Sequence, residues 1–338
     1  VDAEQFKILF AEERANNGIT DPFDYTGLNA NTDWVDAVTR NAKFTTNNLS
    51  VSSSSERNRF TFGVGYTYDE GIVRHVQLQR LQLSLSDELR LNKNIKLGIT
   101  LNASRQRNPN PYGTDQVLDD ARKVIPLHTA VPTVIRVKDP YNPVGNDSIN
   151  VPVYSGLNVG LQTSGVVNPL VRLENEWDNN INVEYRTVGS VYGEINFLKN
   201  FTWRSTVYAD ISSVNNRTYT PLYYAYNPVD NVPYLASPST RVEEQDNDWR
   251  KFQQDHILTY KKDFGDHGLT ATAGFTTYYF GNFNRTGRSA QQIGPTAQPI
   301  PDDERFWYVN NGFEDPGSTS AASSASEYTT VSFLGRVL

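Results

Sequence analysis

From Phe60 to Tyr68 the chain alternates without a break. Phe60, Phe62, Val64, Tyr66 and Tyr68 are large and apolar or aromatic, and Thr61, Gly63, Gly65 and Thr67 between them are small or hydroxylated. Successive side chains of a strand point to opposite faces, so this run predicts a strand with one apolar and one polar face. The pattern returns along the chain. Leu81, Leu83 and Leu85 alternate with Gln82, Ser84 and Ser86, and Ile95, Leu97, Ile99, Leu101 and Ala103 alternate with Lys96, Gly98, Thr100, Asn102 and Ser104. Phe201, Trp203, Val207, Ala209 and Ile211 oppose Arg204, Thr206, Tyr208 and Asp210, while Leu269, Ala271, Ala273, Phe275 and Tyr279 oppose Thr270, Thr272, Gly274 and Thr276. Looser or shorter runs at 47–54, 181–197, 251–260 and 327–338 bring the expectation to about nine strands. A slip of one residue in the 201–211 run would turn Arg204 and Asp210 to the apolar side, which fixes its register.

The apolar faces need a cover, either a protein core or lipid. Several runs reach ten residues, whereas a globular strand averages roughly five or six and a tilted strand crossing a bilayer needs about 9 to 11. The composition agrees with strands that are apolar at every second position only: 38% hydrophobic residues and a mean hydropathy of -0.55, yet 19 Tyr and 16 Phe. No apolar run is long enough for a spanning helix. Connections alternate in length: SSSERN, SDELRLNKN, LKN and KKDFGDHG are short, and between them lie DEGIVRH and longer segments at about 105–180, 212–249 and 281–326. Short turns at one end and long loops at the other are the arrangement of an outer-membrane barrel, and a sandwich has no reason for it. Nine strands do not close a barrel, and VDAEQFKILF lacks the basic start of a signal peptide, so the chain reads as an internal piece of something longer. Helices are expected at 3–16, before the strands, and at 114–125 inside the first long loop.

A net charge of -7 with no basic cluster argues against nucleic-acid binding. The absence of cysteine removes disulfides and thiolate metal sites. His75, His128, His256 and His267 form no catalytic constellation, and the adjacent pairs Asp119 and Asp120, and Asp302 and Asp303, read as solvated surface. No enzyme, cofactor or metal is expected. The stretch from Arg217 to Tyr234 is richer in possibilities: Tyr219, Tyr223, Tyr224 and Tyr226 are candidates to stack on a sugar or flank a peptide, as are Phe306, Trp307 and Tyr308. The competing reading places them in an aromatic girdle or an interface with a lid protein. Phe60, Phe62, Val64, Tyr66, Leu83, Leu97, Trp203 and Phe275 are expected to face lipid. Glu184, Arg186, Arg204 and Asp210 are expected to face the lumen or a plug filling it.

Three segments arrive in a familiar order. Residues 31–73 carry Asp33 and Trp34, then Asn48 to Ser52, then Glu70, Gly71 and Ile72; NIKLGITLNAS and HILTYKKDFGDHGLTATAGF follow, with NPLVRLEN between them. Together they resemble the SusC/RagA family of TonB-dependent outer-membrane transporters, departing from it at Ser53 and Ser54, where the family has two glycines. The resemblance implies a 22-stranded transmembrane β-barrel, of which residues 1–46 would be the linker from a plug domain and 47–338 the first part of the wall. It further implies residence in the outer membrane of Bacteroidota and import of glycan oligosaccharides or oligopeptides. The partners implied are a SusD-like surface lipoprotein, the TonB–ExbB–ExbD complex and outer-membrane lipid, with a dimer of transporter–lipoprotein pairs. A non-transporting adhesion barrel and a soluble glycan-binding β-sandwich are the alternatives.

Overall fold

The computed structural model describes residues 1–108, 114–142, 144–157, 160–162, 165–293, 298–311 and 319–338. Nine of its strands form one antiparallel sheet: β1 (Phe44–Ser54), β2 (Asn58–Glu70), β3 (Gln77–Arg90), β4 (Ile95–Arg107), β7 (Asn180–Phe197), β8 (Phe201–Thr220), β11 (Ser239–Phe264), β12 (His267–Gln292) and β13 (Ser320–Val337), in that order. The remaining four, β5 (Thr133–Lys138), β6 (Ser148–Ser155), β9 (Tyr223–Tyr226) and β10 (Pro233–Ser237), form a small sheet in which β6 and β9 run parallel. In the large sheet every neighbour is antiparallel. The turns 55–57, 91–94, 198–200 and 265–266 therefore lie at one end, and the connections 71–76, 108–179, 221–238 and 293–319 at the other. β1 and β13 each pair on one side only, so the sheet is open within this chain.

The register carries the alternation across the whole sheet. Directly opposed residues share a face, and Phe60, Ile99, Val191, Val207 and Val331 fall in one row. Neighbouring rows hold Val51, Phe62, Leu85, Leu101, Phe252 and Tyr279, and nearer the turns Ile195, Trp203 and Leu258. Asp87, Gln254 and His256 interrupt this apolar face. His256 is accommodated by flat stacking between Trp203 and Phe275 and by the Ser205 hydroxyl 3.0 Å from its Nδ1. From Phe201 to Ile211 the apolar stretch of β8 spans about 33 Å along the strand, or about 25 Å in height at the usual barrel tilt.

Strands run further than the alternation predicts. β8 continues to Thr220, β11 begins at Ser239 and β12 reaches Gln292, so the loops expected at 212–249 and 281–326 shrink to 221–238 and 293–319. Beyond the apolar stretch both faces become polar, as in Gln245, Asp246, Asn247 and Asp248. The period fades there, but backbone pairing does not depend on side chains and continues.

At the loop end a separate layer is packed. It contains α1 (Ala3–Asn16), α2 (Trp34–Val38), α3 (Thr114–Lys123), α4 (Pro169–Glu176), the small sheet and two short 3-10 turns, Glu304–Phe306 and Val309–Asn311. Asp2 and Gln5 close a capping box on α1, and Gly18, at φ 76°, ends it. Trp34, Val38, Val73, Val117, Ala121, Val124, Leu170 and Leu173 form its main core. The Trp34 indole N–H donates to the Ile125 carbonyl at 3.0 Å, and Ala30 and Thr32 donate to the carbonyls of Leu127 and Pro126. Gly27, at φ 79°, lies so close to the Pro228 carbonyl that a Cβ there would stand 1.9 Å from its oxygen. Residues 1–43, anticipated as part of a linker, are thus built into the loop-end layer, and β1 descends from that end toward the turns.

Candidate functional site

Glu184, Arg186, Arg204 and Asp210 all fall on the polar face, opposite the rows that hold Phe60, Phe62, Val64, Tyr66, Leu83, Leu97, Trp203 and Phe275. Arg186 on β7 grips Asp210 on β8 with a two-pronged contact, Nε to Oδ1 at 3.0 Å and Nη2 to Oδ2 at 2.9 Å. The Trp249 ring lies within reach of two cations, Arg186 at 4.8 Å and Lys251 at 4.5 Å. The Ser212 hydroxyl donates to Glu184 at 2.9 Å. A shallow cleft of about 370 Å³ beside this group is lined by Arg80, Gln82, Asn102, Gln106, Glu184 and Arg186.

Nearer the turns a second cluster shares the same face. Lys96 stands 3.7 Å from both Glu88 and Glu194, Arg204 lies 4.0 Å above the Tyr192 ring, and the Tyr192 hydroxyl donates to Glu88 at 2.7 Å. Tyr192 lies across Gly98 on the next strand, where a Cβ would come within 2.1 Å of the ring. Glycine here makes room for an aromatic lid. Lys96, Glu88, Tyr192 and Trp249 were not singled out from the sequence; Lys96 and Tyr192 occupy polar-face positions of strands already recognised, whereas Glu88 fell in the turn expected at SDELRLNKN and Trp249 in the loop expected at 212–249.

The aromatic candidates divide. Tyr219 is 1% exposed and Trp307 5%. Their rings stack at 4.8 Å, and the Tyr219 hydroxyl donates to the Ile300 carbonyl at 2.7 Å and meets the Tyr141 hydroxyl at 3.1 Å. Tyr226 is buried as well. These three are core side chains of the loop end and present no ring to a ligand, which corrects the expectation drawn for them. The physical reason is that large side chains fill the space where loop-end segments meet the strand tips: Tyr219 and Trp307 share a core with Val242 and Ile300. Burial pushes the Tyr141 hydroxyl up to about 12. Tyr219 also lies in β8 and not in a loop, on the side of the sheet that continues the apolar face. Ile300, Trp307 and Val309 pack against that side too, over Val242 and Gly287, so Tyr308, with Arg217 4.7 Å above its ring, lies there as well.

Tyr223 and Tyr224 remain partly open. Tyr224 donates to the Lys138 carbonyl at 3.0 Å. Tyr223 donates to Glu176 at 2.9 Å, the same carboxylate that Arg172 holds at 3.0 Å. With Tyr234, Leu157, Val171 and Asn168, Tyr223 and Arg172 line a cleft of about 330 Å³ at the loop end. Arg172 and Glu176 also lie within electrostatic reach of Arg241 on the polar face of β11, which sets this cleft at the mouth of the polar wall. His75 joins the same layer: its Nε2 lies 3.1 Å from Glu174, and its ring stacks on Trp177 at 4.8 Å. Among the described residues no group of three or more His, Asp or Glu is gathered as a metal site, and no helix is long and apolar enough to cross a membrane.

No family model and no curated protein matches this chain. Solved structures do. A structure of the RagAB peptide transporter superposes with a TM-score of 0.67 at 17% identity, covering 97% of this chain and 34% of that one. Structures of the RagAB peptide importer in the "closed-closed" and "open-open" states each give a TM-score of 0.64, at 16% and 14% identity, with the same coverage. This chain spans about a third of the length of the chains it matches. The nine-stranded sheet and its loop-end layer therefore have the fold of that third of a RagAB chain.

Proposed function

We propose that the chain is a section of the wall of a TonB-dependent importer in a bacterial outer membrane. Its cargo is an oligopeptide or a glycan oligosaccharide, carried without chemical change and without a cofactor, and the likeness to a peptide transporter favours peptides. The observation that carries this reading is the match along 97% of the chain to RagAB at a TM-score of 0.67. It is supported by an apolar face about 25 Å tall that none of the described residues covers. In this reading Phe60, Phe62, Val64, Tyr66, Leu83, Leu97, Trp203 and Phe275 meet lipid. Arg186, Asp210, Trp249 and the Lys96 cluster line the lumen, where a plug domain would pair with them. The cleft at Tyr223, Tyr234 and Arg172 stands at the outer mouth, open to cargo or to a SusD-like lipoprotein lid. TonB–ExbB–ExbD would supply the energy, and two transporter–lipoprotein pairs would associate.

The test has two readouts. The protein purified from its native membrane should migrate faster in detergent gels before boiling than after, and cells lacking it should lose uptake of labelled oligopeptides, as wild-type cells should when the proton gradient is collapsed. Migration unaffected by heat would remove the barrel. A heat-modifiable protein whose loss leaves uptake of peptides and glycans unchanged would point to the adhesion reading.

A further inference from the structure

We propose that the apolar face ends, toward the loops, in a binding surface for the phosphate groups of membrane lipid, centred on Arg105 and Arg107 and continued by Arg250. The inference rests on the membrane reading above and goes beyond it, because it assigns a lipid chemistry to named residues.

Position comes first. Arg105 shares a row with Tyr66, Leu81 and Tyr185, the last row in which apolar side chains dominate, and Arg107 stands one row further toward the loops. Arg250 lies opposite Ile211, at the top of the apolar stretch of β8. All three are on the apolar side of the sheet, in three successive same-face rows at the loop end of the apolar stretch, where on the membrane reading hydrocarbon gives way to headgroups. A cation in that plane meets lipid phosphate.

Partnering comes second. Arg105 and Arg250 are exposed and Arg107 is half-buried. Among the described residues none of the three stands in an ion pair. Their directly opposed neighbours are Leu81 and Tyr185, Gln79 and Val183, and Ile211 and Gly281, none of them acidic. The Arg107 Nε is buried and has no hydrogen-bond partner among the described residues. Of the carboxylates on this side, Glu244, Asp246 and Asp248 lie on β11, separated from Arg105 and Arg107 by β7 and β8, and Arg217 and Arg285 stand opposite the first two; Asp248 is two residues from Arg250, Glu327 shares the Arg250 row beyond Gly281, and Glu70 on β2 pairs with Arg40 at 3.5 Å.

Geometry comes third. The Arg105 guanidinium lies 5.9 Å from the centre of the Tyr185 ring and donates to its hydroxyl at 3.3 Å, and that of Arg250 lies 5.8 Å from the Phe283 ring. An arginine steadied on a ring keeps a planar fork of N–H donors for a phosphate, which a lysine would meet only as a point charge.

The experiment uses the protein in non-ionic detergent, titrated with short-chain phosphatidylglycerol, short-chain phosphatidylcholine or inorganic phosphate while thermal unfolding is followed. Phosphatidylglycerol should raise the midpoint saturably by about 3 °C or more. Phosphatidylcholine and inorganic phosphate should not, and 0.5 M salt should weaken the effect on the scale of screening expected of exposed charges, roughly a 4 Å Debye length. The double variant R105Q/R107Q should lose at least half of the shift, and Arg105→Lys should fall between it and the wild type. Equal shifts from both lipids, an undiminished shift in the double variant, or a full shift from inorganic phosphate alone would overturn the proposal. Heat-modifiable migration of the same samples separates the two failures: a heat-modifiable protein without anionic preference removes this surface only, whereas loss of that migration in the wild type removes the membrane reading and this inference with it.

Discussion

The two ends of this molecule solve the burial of apolar surface in opposite ways. Among the described residues, the buried hydrophobic side chains, from Ala3 and Leu28 to Ile300 and Trp307, all belong to the loop-end layer and the strand tips beneath it. The middle of the sheet has none, although it is the more regularly apolar region: Trp203 is 40% exposed and Val207 46%. The chain's accessible surface is 20279 Å², against about 14,000 Å² for a compact monomer of its mass. The loop end is made as a water-soluble domain is made. The middle is a wall whose apolar face none of the described residues covers.

That contrast can be broken or sharpened by experiment. The largest effect is expected at the loop-end core, where Trp34→Ala removes a buried indole and its bond to the Ile125 carbonyl. It should cost about 3 to 5 kcal/mol, seen as rapid proteolysis of the loop end while heat-modifiable migration persists. Loss of both together would mean that the two regions fold as one. Next, Val207→Arg places a charge on the apolar face of β8 and should cost about 2 to 4 kcal/mol in a bilayer, measured by urea unfolding in liposomes. A wall facing water would absorb the change with little loss.

The third test uses His128, 1% exposed in the loop-end layer, whose imidazole burial holds at about 4 against an ordinary 6.5. The folded state resists the proton that the unfolded chain accepts. Stability of the loop end is therefore full above pH 6.5 and declines as pH falls toward 4, by up to about 3 kcal/mol. Hydrogen exchange at pH 7 and pH 4.5 should show the loss in the loop layer and not in the wall, and His128→Gln should flatten it. The smallest effect belongs to Asp210→Ala. It breaks the Arg186 contact on a face that is partly solvated here, and should cost about 0 to 1 kcal/mol in the isolated protein. On the importer proposal, a larger cost in the intact protein would show that a plug had buried the pair.

Much of the wall was legible in the sequence. The nine expected runs correspond to the nine strands of the sheet, and the face assigned to Phe60, Leu97 and Trp203, or to Arg204 and Asp210, is the face their register gives. Legibility ended where alternation did. β11 above Arg250 reads QDND, polar on both faces, and nothing in that run distinguishes a strand from a loop. The aromatic candidates were less legible. Tyr219, Tyr223 and Tyr226 look alike in RTYTPLYYAYNPVDNVPY, and nothing local tells the core side chains from the one at the cleft.

The sequence by itself determined the nine strands of the large sheet, though not the four of the small one, the end at which each loop lies and the face of each wall side chain, because a period of two is a local property that any chain segment carries with it. The tertiary structure alone decided which aromatics are buried, that residues 1–43 belong to the loop-end layer, and that Arg105, Arg107 and Arg250 share one side of the sheet in three successive rows. Each of those depends on contacts between distant segments, such as Tyr219 with Ile300 or Trp34 with Ile125. Such pairings are set by shape and by competition for the same core, which no stretch of sequence records.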